Sequence, residues 1–133
     1  MYDEEKGSGG FVSIFNATSS AKNLSSYEIY RAGDNPIPVP YTTGLSGIIN
    51  PGELKIIKYS GVNACPVPIS TGNGSFGSGF NGGDVFQLRS FDGSVIYDAV
   101  EAPIDKGYYM KRAAGQFLGS TVYVPAYWST VNL

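Results

Sequence analysis

"DVFQLRSFDGSVIYDAV", residues 84–100, decides the fold class. Val85, Gln87 and Arg89 alternate with Phe86 and Leu88, the period of two that a strand with one buried face shows. Asp92-Gly93 then stands between two β-rich runs, the residue pair that a two-residue hairpin with positive φ at both centres prefers. Strands at 84–90 and 94–100 are therefore predicted as antiparallel neighbours, with Phe86 and Leu88 turned to the core.

The same texture extends outward. Short runs rich in Val, Ile, Tyr and Phe recur at 11–16, 26–31, 46–50, 53–59 and 108–112, each bounded by Gly, Pro, Asn, Asp or Ser. No window carries an apolar i, i+3, i+4, i+7 stripe over three turns, and 18 glycines and 8 prolines are spread throughout. About seven to nine short strands in one chain read as a sandwich or a barrel. "NPGE" (50–53) presets φ at Pro51 and needs a positive φ at Gly52, so a type II turn is expected there. "DNPIPVP" (34–40) lacks ladder donors at three prolines and is expected to blunt a sheet edge.

Composition limits the chemistry. The 133 residues fit one domain at 10–133, behind a flexible or boundary segment at 1–9. The net charge of −2 disfavours a dedicated nonspecific nucleic-acid binder. No histidine is present, which removes the commonest general base and the commonest zinc ligand. Cys65 is the single cysteine, so no internal disulfide forms, and its neighbours hold nothing that activates a thiol. The acidic start lacks the apolar core of a signal peptide. No apolar run approaches the length of a membrane span.

"TGNGSFGSGFNGGD" (71–84) contains G-x-G-x-x-G twice. A dinucleotide site also needs a strand before the glycines and a helix starting within them, and neither signal is present. The stretch reads as an ordered loop packed by Phe76 and Phe80. The carboxylate pairs Glu101/Asp105 and Asp92/Asp98 flank a proline and straddle a hairpin, and no calcium-ligand run exists. No catalytic residue, cofactor or metal site is assigned. Lys55, Lys58, Lys111 and Arg112 are the basic candidates for a binding patch. The ten tyrosines and Trp128 raise a second expectation, a sugar-stacking platform of coplanar exposed rings.

The order of these motifs resembles the lamin tail domain family. "GFVSIFNATSSAKNLSSYEIYRAGD" is similar to its opening strand, polar turn and next strand. "GIINPGELKIIKYSG", "GFNGGDVFQLRSFDGSVIYDAV" and "YYMKRAAGQF…PAYWSTV" follow in the family's order, across roughly residues 10–131. The resemblance implies an immunoglobulin-like sandwich and a non-enzymatic binding or adaptor role in a bacterial surface or secreted protein. Its partner would be a protein or a surface, with nucleic acid a further candidate. It carries over no catalytic or ligand residue. The family's usual first strand has only ten polar, glycine-rich residues in its place, so an unpaired edge is expected, capped by strand exchange, a second copy or another domain.

Overall fold

A computed structural model of the chain describes residues 1–3, 10–33, 40–59, 75–76, 82–103 and 107–133. The fold is all-β, built from antiparallel sheets that stack as a sandwich. In chain order the strands are β1 (Tyr2–Asp3), β2 (Gly10–Phe15), β3 (Lys22–Asn23), β4 (Tyr27–Ala32), β5 (Tyr41–Gly44) and β6 (Ile48–Ile49). They continue as β7 (Leu54–Tyr59), β8 (Ser75–Phe76), β9 (Val85–Ser90), β10 (Ile96–Glu101), β11 (Tyr108–Arg112) and β12 (Trp128–Asn132). Eight of these have four or more residues, within the expected number. Two short 3₁₀ turns, Leu24–Ser26 and Pro125–Tyr127, lead into β4 and β12. No helix among the described residues is long and apolar enough to cross a membrane.

One sheet runs β12-β11-β1-β2-β7-β8, with β8 parallel to the end of β7, and the other runs β10-β9-β4-β5. β3 and β6 form a small third pair. Alternation explains what lies between them. Val12, Ile57 and Met110 from the first sheet meet Ile29, Phe86 and Val100 from the second, all buried. Each fully buried aliphatic side chain of this kind stabilises the fold by roughly 1.5–3 kcal/mol. Phe86 and Leu88 face the core as expected, and of the adjacent pair in β7 Ile57 is fully buried while Ile56 is partly exposed.

The turn at 50–53 has the expected form: Gly52 has φ +74°, and the Glu53 N–H donates to the Asn50 carbonyl at 3.0 Å. The Asp92-Gly93 hairpin is corrected in type. Only Gly93 has positive φ there (+72°), and Ser90 N–H bonds the Val95 carbonyl at 2.8 Å, so the loop holds four residues. Its geometry is local: Asp92 Oδ1 accepts from Ser90 Oγ at 2.6 Å and from Ser94 N–H at 3.0 Å, which fixes a non-positive φ at Asp92.

At the start of the chain, residues 1–3 are described. Met1 is buried and Tyr2–Asp3 pair with both β2 and β11, because an apolar side chain there fills space between those strands. Residues 4–9, the proline run at 34–39, Cys65, Phe80 and Asp105 lie outside the described residues.

Candidate functional site

β1 is short, and the two strands beside it are not. Tyr2 lies opposite both Phe11 and Tyr109, and Asp3 opposite both Gly10 and Tyr108. Beyond Met1, β2 continues through Ser13, Ile14 and Phe15, and β11 continues through Lys111 and Arg112. No described strand lies between these continuations. Where β1 lies between them it holds β2 and β11 two strand spacings apart, roughly 9–10 Å.

The resulting seam opens into a cavity of about 580 Å³. Its walls are β2 and β11, and its floor is apolar: Val12, Ile14, Phe86, Leu88 and Val100. The volume lies in the range typical of ligand pockets. At the mouth, Phe15, Leu54 and Phe117 are 54%, 50% and 72% exposed.

The polar end of the cavity is organised by Asp98. This β10 residue accepts from the Arg112 guanidinium, from its neighbour Ala99 N–H at 2.9 Å and from Ser120 N–H at 3.1 Å. Arg112 also lies over Trp128, its cross-strand partner, with Cζ 4.3 Å from the ring centroid. The guanidinium is thus held between a carboxylate and a π-face. Two buried donors in this cluster, Arg112 Nη1 and Trp128 Nε1, find no acceptor among the described residues. Nearby, the Met1 amine donates to the Met110 carbonyl at 2.8 Å, and burial lowers it to about 6.

The four basic candidates do not converge. Lys55, opposite Ile14, pairs with Glu53 at 2.6 Å, and Arg112 is engaged as above. Lys58 occupies β7 opposite Phe11, and its side chain is outside the described set. Lys111 is exposed opposite Ser129, on the rim of the seam. Of the carboxylates considered for acid/base work, Asp92 is engaged in its turn, its carboxyl held down to about 2 by the Ser90 and Ser94 hydrogen bonds, and Asp98 is engaged by Arg112. For the sugar platform, Tyr27 and Tyr97 stand 5.2 Å apart but tilted by 53°, so that pair offers no flat surface.

Two further ion pairs tie β4 to β9 and its approach. Arg31 reaches Asp84 at 2.9 Å, and Arg89 reaches Glu28 at 2.5 Å while lying over Tyr30 at 4.0 Å. They are buried or half-buried and read as structural.

The sequence marked Lys111 and Arg112 but not the cavity, since its lining comes from β2, β9, β10 and β11, which no local window contains. No protein-family model matches the chain, and no curated protein matches it.

Proposed function

We propose that this chain is a non-enzymatic binding module of the lamin-tail type, serving a bacterial surface or secreted protein and docking a polypeptide partner at the seam. The observation that carries the reading is the apolar seam itself. Phe15, Leu54 and Phe117 are each at least half exposed around a cavity floored by core side chains. Exposed apolar surface of this kind marks a partner or ligand site more often than idle surface. The motif order quoted above supports the lamin-tail assignment, and the module reading agrees with the engagement of Asp92 and Asp98 in structural bonds.

An amide chemical-shift map tests it. A random-sequence peptide mixture is expected to shift the resonances of Ile14, Phe15, Leu54 and Phe117. Shifts with short duplex DNA that centre on Lys55, Lys111 or Arg112 and fade as salt rises would replace the polypeptide partner with nucleic acid. Silence toward peptides, DNA and polysaccharides alike contradicts a binding module.

A further inference from the structure

We propose that the outer face of the first sheet binds an extended polysaccharide that carries carboxylates. The site uses none of the side chains that floor the cavity. An antiparallel sheet that covers a core with one face ordinarily turns polar side chains out on the other. Here the outward positions hold rings instead. Val12, Tyr108 and Met110 are buried, so their neighbours Phe11 and Tyr109 point outward, and the ladders set them in one row. Val131 lies opposite Tyr109, Tyr109 opposite Tyr2, Tyr2 opposite Phe11, and Phe11 opposite Lys58. Tyr109 and Val131 are 39% and 52% exposed, and Phe11 is partly exposed. The row crosses five strands.

Spacing gives the first argument. Neighbouring strands lie roughly 4.8 Å apart, close to the rise per sugar of an extended β-1,4-linked glycan, so a ribbon laid along the row puts one pyranose over each strand. The hydrogen-bearing face of a pyranose packs on the negative face of an aromatic ring. Phe11 and Tyr109, two strands apart, then meet alternate sugars, which a two-fold ribbon turns the same way. The second argument is what stands beside the rings. On the same face, Ser129 lies opposite Lys111, both exposed, and Ser13 is two residues beyond Phe11. Hydroxyl and ammonium donors next to rings suit sugar hydroxyls and carboxylates, whereas the core of a protein interface is depleted of serine and lysine. A single nucleic-acid strand needs a basic track along its phosphates, which a chain of net charge −2 with one exposed lysine beside the rings does not supply. The third argument is charge complementarity. Among the described residues no outward position of β2, β7, β11 or β12 is acidic, while Lys58 and Lys111 occupy two of them. One sign of charge on the face selects an acidic glycan over a neutral one.

The probes are the β-1,4-linked hexamer of mannuronate and cellohexaose, which share an extended ribbon and differ in the carboxylates, each titrated into the chain of residues 1–133. The mannuronate hexamer is expected to shift the amide resonances of Phe11, Tyr109, Lys111, Ser129 and Val131, to leave the core residues Ile29 and Phe86 unchanged, and to bind more weakly as salt rises. Cellohexaose should shift the same residues with about threefold lower affinity. Tyr109→Ala should weaken both glycans by about fivefold. Lys111→Gln should weaken the mannuronate hexamer alone, to the level of cellohexaose. Both side chains are exposed, so an unchanged urea midpoint certifies that each variant is folded.

No shift with either glycan, or shifts that a folded Tyr109→Ala chain retains in full, would overturn the proposal. Equal affinity for the two hexamers would overturn the acidic class. Tighter binding of oligothymidylate at the same residues would overturn it by making the face a nucleic-acid platform. A glycan response at Tyr109 with silence toward the random peptide mixture leaves this proposal standing while docking at the seam falls, and the reverse result does the opposite.

Discussion

Asp92 shows how one side chain sets a connection. Its carboxylate replaces the backbone conformation that a two-residue hairpin would need, collecting Ser90 and Ser94 in a four-residue loop. These bonds favour the ionised form and hold its carboxyl at about 2, below the ordinary 3.8. A depressed folded-state value means stability that is fully present above 3.8 and lost as pH falls toward 2. Asp92→Ala should therefore lower the urea midpoint at pH 6, and the gap to the parent chain should close between pH 4 and 2. A gap that persists unchanged at pH 2 contradicts this role. Gly93 and Gly52 were legible as turn residues, since a positive φ was required at each. The four-residue loop was not, because the dipeptide alone does not reveal that Ser90 and Ser94 would recruit the aspartate.

At the level of elements, the exposed edge strand β10 is managed by a crossing segment. Its register breaks between Ile96 and Asp98, and the chain after β11 lies across that irregularity, tethered by Ser120 N–H on Asp98. Gly119 makes the crossing feasible: a Cβ there would stand 2.0 Å from the Tyr97 carbonyl oxygen. Gly119→Ala must therefore lift the segment or distort β10, at a cost of about 1–3 kcal/mol. Chemical denaturation checks the loss, with faster exchange of the Ser120 amide as its local signature; an unchanged midpoint and amide would show that the segment does not depend on this contact.

Elements were legible where alternation and burial coincide. Phe86 and Leu88 in β9 announced themselves in this way. β5 did not: "YTTG" is a four-residue strand at the sheet edge with one partly buried and no buried residue. β12 was read only as a closing tryptophan segment, since Ser129 through Asn132 are all exposed and leave no apolar period.

The whole molecule is a sandwich whose first sheet is joined near Tyr2, where β1 pairs with both β2 and β11. That junction is a property of pairing across the chain, with residue 1 bonded to residue 110, and no local window contains it. The cavity between β2 and β11 has the core as its floor. Arg112 follows the same logic. It was legible as a basic residue, while its place between Asp98 and Trp128 depends on β10, β11 and β12 meeting.

Residue-resolved hydrogen exchange of the free chain tests the pairing of β2 and β11 most directly. The account predicts fast exchange at Ser13, Phe15 and Arg112, alternating with slow exchange at Ile14, Lys111 and Ala113, whose N–H groups bond toward β7 and β12. Uniform protection from residue 12 to 15 and from 110 to 113 would mean that the two strands are paired on both sides, and would contradict it.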